Sequence, residues 1–139
     1  MAEAADLGDA LRSVLDQTPG IVSAYVFGSA ASDRMHRESD VDVGVLLDWN
    51  RYPSQSARFD ARLRLITALQ SAIGREVDLV ILNEAPPHLT RRIMCEGLRI
   101  TVREPELDHS HLRTTLSRAA DLEPFLRRTR AVKLEALRR

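Results

Sequence analysis

Cysteine is almost missing from this sequence. Cys95 stands alone among 139 residues, which excludes an internal disulfide and any zinc or iron-sulfur site built from several thiolates. Glycine and proline are sparse, six of each, so collagenous and low-complexity architectures are excluded. Long apolar runs are missing too: the stretch from Val43 to Leu47 falls far short of the roughly 20 residues that cross a bilayer. The first fifteen residues carry Glu3, Asp6 and Asp9 where a signal peptide has positive charge followed by an apolar core. A soluble protein of the reducing cytoplasm is expected. Lysine is represented by Lys133 alone; arginine suits phosphate recognition, but a bias spread over the whole chain is given no functional weight.

What remains is an ordinary globular composition, 44% hydrophobic and 29% charged, of a length that makes one domain, residues 1–139. Net charge is zero, yet its distribution is uneven. Residues 111–139 carry eight Lys and Arg against three Asp and Glu. An acidic body therefore ends in a basic helical segment, which could face nucleic acid, an acidic protein or solvent.

Leu7, Leu11, Val14 and Leu15 recur at helical spacing and stop at Thr18-Pro19-Gly20. Ile21 to Phe27 reads as a buried strand. A short polar segment after Gly28-Ser29, read as a brief helix and turn, leads to a second strand from Asp40 to Leu47. A loop with Pro53 follows. Phe59, Leu63, Ile66, Leu69 and Ile73 predict a helix closed by Gly74. Val77 to Leu82 is a third strand, Pro86-Pro87 opens a helix that passes through Ile93 and Met94 and ends at Gly97, and Leu98 to Val102 is a fourth strand. From Leu107 the chain is helical, with Pro124 imposing a kink or a break near Leu122. The fold class is α/β (α+β): a small mixed sheet of about four strands packed with helices and followed by a C-terminal helical segment.

Chemistry concentrates in Gly28-Ser29, ten residues, then Asp40-Val41-Asp42. Strand periodicity puts Asp40, Asp42 and Gly44 on one face, read as open, and Val41, Val43, Val45 and Leu47 on the other, read as core. Two neighbouring carboxylates repel unless a proton or cation intervenes. Mg²⁺, a hard cation held by one or two carboxylates together with substrate phosphates, resolves that repulsion. Gly28 can bring backbone N–H groups close to a phosphate, and Ser29 adds a hydroxyl. The ten-residue connection is shorter than the dozen or more that a parallel crossover needs, so the first two strands should run antiparallel, with Gly28-Ser29 beside Asp40 and Asp42. The 29 residues between Leu47 and Val77 suffice for a crossover that returns the third strand parallel to the second. Asp78 then lies near the same edge, placed to take a proton from an acceptor hydroxyl and to help hold metal. Glu76 is its rival, but it follows Gly74-Arg75 and belongs to the turn.

These residues resemble the nucleotidyltransferase superfamily with the DNA polymerase beta type of fold, and within it the minimal nucleotidyltransferases: Gly-Ser, about ten residues, Asp-x-Asp, then a lone Asp on a later strand. Gly28, Ser29, Asp40, Asp42 and Asp78 occupy those places, with Ser39 before the pair. At ordinary residue usage the four fixed positions should coincide by chance on the order of once in a thousand chains of this length. The turn Glu96-Gly97-Leu98-Arg99-Ile100 is similar as well. One departure stands out: where members often continue with Arg-Gly, this chain has Ser32-Asp33. That removes a phosphate contact and adds a negative charge, which Arg34 or Arg37 would have to offset.

The resemblance implies transfer of AMP from ATP to a hydroxyl with release of pyrophosphate. Gly28 and Ser29 would bind nucleotide, Asp40, Asp42 and Asp78 would be catalytic and hold Mg²⁺, and Asp78 would activate the acceptor. It also implies a type VII-like antitoxin whose partner is a HEPN-domain ribonuclease toxin modified on a tyrosine, without direct nucleic-acid binding and without a membrane. The alternatives are a non-catalytic antitoxin that acts by binding alone and an adenylyltransferase of aminoglycoside-like compounds. Other candidates have plainer readings. His36 is a surface residue, His88 a first-turn helix residue, and His109-x-His111 lacks the partners of a zinc site. Trp49 and Tyr52 are assigned to loop packing rather than to an adenine rim, and Cys95 to a helix face against the sheet.

Overall fold

The computed structural model describes residues 2–28 and 40–137. Among the described residues, four helices and four strands follow in the order α1 Ala2–Gln17, β1 Ile21–Phe27, β2 Val41–Leu47, α2 Gln55–Ile73, β3 Val77–Ile81, α3 Pro87–Glu96, β4 Leu98–Val102 and α4 Pro105–Leu137. The segment expected to form a brief helix after Gly28 lies outside the described residues. β2 begins one residue later than expected, leaving Asp40 just before the strand, and β3 stops at Ile81.

The sheet has the order β3-β2-β1-β4. β1 is antiparallel to both β2 and β4, and β2 is parallel to β3; the β1–β2 and β2–β3 directions are the expected ones. β1 carries an irregularity between Ile21 and Ser23, so Ile21 faces the same way as Ala24 and Val26 although strict alternation would separate them.

One face of the sheet is covered by α1 and α2. There Leu11, Leu15, Leu65 and Leu69 pack on Val41, Val43, Val45, Leu47, Val77 and Leu79. Burying each of these strand side chains contributes about 1.5–3 kcal/mol. On α2 the periodicity is partly misleading, because Leu65 and Leu69 are buried while Phe59 and Leu63 are 58% and 48% exposed. The stripe that meets the sheet is thus rotated from the one expected. α2 is capped by the Ser54 hydroxyl, which accepts from the Ala57 N–H, a cap not anticipated, and closes as expected at Gly74 in the left-handed conformation.

The opposite face is not simply open. Val22, Tyr25, Leu46, Leu82, Ile93 and Met94 form a second core beneath α3 and α4. Gly44 lets α3 come close, since a Cβ there would lie 3.0 Å from Ile93 Cγ2 and 3.0 Å from Leu82 Cδ2. Among the described residues, Asp40 and Asp78 at the end of this face are exposed and Asp42 is half-buried. α4 starts at Pro105 rather than at Leu107 and runs as one helix with Pro124 inside it, so the alternative of two separate helices is overturned. Cys95 is exposed and does not pack on the sheet: within α3 it is Thr90, Ile93 and Met94 that turn inward.

Candidate active site

Parallel pairing of β2 with β3 places Asp42 opposite Asp78, one step after Val41 opposite Val77. Antiparallel pairing of β1 with β2 places Phe27 opposite Asp42, so the end of β1 and the starts of β2 and β3 share one rim. Gly28 continues from Phe27 with φ +69°, a conformation that an L side chain adopts at a cost of about 1–2 kcal/mol. A Cβ at Gly28 would also collide with the Asp42 carboxylate oxygen Oδ2. Backbone and carboxylate are therefore in close approach, the arrangement inferred from the Gly28-to-Asp42 spacing. Ser29, Ser32, Asp33, Arg34, His36, Arg37 and Ser39 lie outside the described residues.

Asp42 is half-buried and Asp40 and Asp78 are exposed. Burial, then the charge of Asp78, then that of Asp40, raise the Asp42 carboxyl above its usual value of 3.8. The crowding of negative charge that the sequence implied is thus present. Glu76, the rival of Asp78, is exposed and lies just before β3, where its carbonyl accepts from the Val41 N–H at 2.9 Å.

Among the described residues, no three Asp, Glu, His or Cys side chains close into a metal cage. An all-oxygen set of repelling carboxylates beside a glycine bend is instead suited to a hard divalent cation whose remaining positions come from phosphates and water. The donor chemistry fits such an ion.

The rim opens into a cleft of about 470 Å³ lined by Phe27, Gly28, Asp42, Leu89, Arg92, Ile93, Glu96 and Gly97. Its α3 wall was missed in the sequence, although Leu89, Arg92, Ile93 and Glu96 follow the three- and four-residue spacing that puts side chains on one helix face. A slightly larger hollow of about 500 Å³ lies at the other end of the sheet, between Pro19, Tyr52 and α2. It contains none of the three candidate acids, so size does not locate the chemistry.

Trp49 and Tyr52 follow the far end of β2. There the Arg58 guanidinium stacks 3.7 Å from the Trp49 ring centroid and the Tyr52 hydroxyl donates to the Pro19 carbonyl. They are loop-packing residues. His109 and His111, two apart on α4, do not face each other. His111 is half-buried, and its pKa is lowered chiefly by that burial.

A polar contact across 83 residues was also not legible. The buried Tyr25 hydroxyl donates to Asp108 Oδ1 at 2.7 Å, and Arg99 Nη1 lies 3.6 Å from Asp108 Oδ2. Burial and the Asp108 carboxylate push the Tyr25 phenol well above its ordinary range, so it stays protonated and ties α4 to β1.

A mixed sheet thus presents in-register carboxylates next to a left-handed glycine bend, an arrangement suited to a cation-bound phosphate. Comparison with known families makes this specific. The family described as polymerase beta, nucleotidyltransferase, matches residues 9–106, and the chain belongs to that family. Over 90 residues it is 30% identical to the protein adenylyltransferase MntA of Shewanella oneidensis, covering 65% of this chain and 60% of that protein. The match thus spans less than two thirds of that relative. A chain of a toxin–antitoxin crystal structure with AMP-PNP superimposes with a TM-score of 0.65 at 25% identity, covering 95% of this chain and 98% of the other. A chain from the complex of tri-AMPylated Shewanella oneidensis HEPN toxin with MNT antitoxin shares the fold, with a TM-score of 0.61 at 22% identity over 98% and 99% of the two chains. Among the described residues no helix is long and apolar enough to cross a membrane.

Proposed function

We propose that this chain, read as one nucleotidyltransferase domain, is an antitoxin that transfers AMP from ATP to a tyrosine hydroxyl of a HEPN ribonuclease toxin and thereby neutralises it. The observation that carries the reading is the in-register pairing of Asp42 with Asp78 beside the Gly28 bend. The similarity to a protein adenylyltransferase and to a chain of a toxin–antitoxin complex holding an ATP analogue supports the substrate and partner. The absence of a membrane-crossing helix among the described residues is compatible with action in the cytoplasm.

In this reading Asp40 and Asp42 hold Mg²⁺, with Asp78 contributing, and the bound ion supplies charge neutralisation for the nucleotide phosphates. Gly28 and Ser29 bind the outer phosphates through backbone N–H groups and the serine hydroxyl. The Asp78 carboxylate accepts the proton of the acceptor hydroxyl. The acceptor oxygen forms a bond to the α-phosphorus, the bond from that phosphorus to the bridging oxygen breaks, and pyrophosphate leaves with the electron pair.

Parallel reactions with ATP labelled at the α- or the γ-phosphate test this. The α-label should appear on the acceptor protein and the γ-label in released pyrophosphate. Transfer of the γ-label to protein would make the chain a kinase instead, and retention of both labels in ATP would leave a toxin-binding protein without this activity.

A further inference from the structure

The cleft raises a charge problem. A polyphosphate entering it meets Asp42 in its lining, with Asp40 and Asp78 close by. Among the described residues that line the cleft, the single cation is Arg92 on α3. Its Nε lies 3.7 Å from Glu96 Oε2, one helical turn on, and the two side chains are 78% and 73% exposed. An ion pair between side chains so exposed is weak, so Arg92 can leave it at little cost. The guanidinium donors suit phosphate oxygens better than a single distant carboxylate contact. Glu96 lines the same cleft, and it opposes an anionic ligand both directly and by occupying Arg92.

We infer that Arg92 and Glu96 form a selectivity pair for the substrate polyphosphate, in which Arg92 exchanges its Glu96 partner for phosphate oxygens when nucleotide binds. The inference rests on the nucleotidyltransferase reading and extends it to two residues outside the Gly-Ser and Asp-x-Asp elements. Opposite substitutions on one helix face then have opposite effects. Arg92→Gln weakens binding of the triphosphate, Glu96→Gln strengthens it, and neither alters a ligand without phosphate.

Equilibrium binding of a non-hydrolysable ATP analogue with Mg²⁺, and of adenosine, to the intact chain and both variants tests this. Arg92→Gln should raise the Kd for the analogue about tenfold, the loss of one charge-assisted contact. Glu96→Gln should lower it about two- to fivefold, Arg92→Lys should restore part of the loss, and adenosine binding should be the same in all. Both side chains are exposed, so the variants should fold, which the melting temperature verifies. An analogue Kd unmoved by Arg92→Gln, weaker binding in Glu96→Gln, or equal losses for adenosine would each overturn the inference alone. No analogue binding by the unaltered chain would overturn it together with the nucleotide reading.

Discussion

Asp42 on β2 and Asp78 on β3 are direct neighbours in a parallel register, with Asp40 close enough for its charge to act on Asp42. The arrangement stores electrostatic repulsion at the rim of the sheet. Because burial and both neighbours raise the Asp42 pKa above 3.8, folding favours the protonated acid. That contribution to stability is complete below the unfolded pKa and is lost as pH rises through the higher folded value. At neutral pH the metal-free protein carries the cost of a charged, crowded Asp42. Asp42→Asn should therefore raise the melting temperature in EDTA at pH 7, lose that advantage below about pH 4, and abolish AMP transfer. A lower melting temperature at pH 7 would show that the carboxylate is stabilised by its surroundings.

Asp78 is exposed, and the proposed function makes it the proton acceptor. Asp78→Asn should reduce kcat by about 10²–10⁴-fold while changing the KM for ATP little. Steady-state kinetics over both substrates measures this, and a loss confined to KM would move the base elsewhere.

Gly28 meets two constraints at once, a left-handed backbone and the neighbouring Asp42 oxygen. Gly28→Ala should cost at least about 1 kcal/mol in urea unfolding and should weaken nucleotide binding by displacing the Asp42 carboxylate. Unchanged stability would mean that the bend relaxes at no cost.

Tyr25 holds α4 against β1 through Asp108. Tyr25→Phe leaves a buried carboxylate without its hydroxyl donor and should destabilise the protein by about 1–3 kcal/mol. The kcat at low temperature should be unaffected, which separates this residue from the reacting groups. Urea titration and initial rates measured on the same preparation check both halves.

Much of this was readable in the chain because short-range rules govern it. The bounds of β1 and β4 follow from apolar runs between turn residues, and the antiparallel β1–β2 and parallel β2–β3 pairings are those expected from the motif spacing. The closeness of Gly28 to Asp42 follows from direction alone. What was not readable depends on how layers meet. The irregularity at Ile21–Ser23 shifts which residues share a face. Leu46 belongs to a second core that exists only because α3 and α4 cover that side. Phe59 and Leu63 fit the helical period as well as Leu65 and Leu69, and only the seating of α2 on the sheet decides between them. Cys95 is exposed for the same reason, since α3 turns Ile93 and Met94 inward instead. Arg92 joins the cleft lining because α3 lies across the end of β1, a tertiary fact with no trace in a motif; Glu96 belongs to a family-like turn, but that turn gave it no place in the cleft.

The central claim is that the acid rim transfers AMP to a protein hydroxyl. The most direct measurement is the intact mass of a HEPN toxin co-purified with this chain, before and after addition of Mg-ATP. The account predicts a gain in toxin mass of whole AMP units with the unaltered chain and none with Asp42→Asn. A toxin that is neutralised while its mass stays unchanged would contradict it.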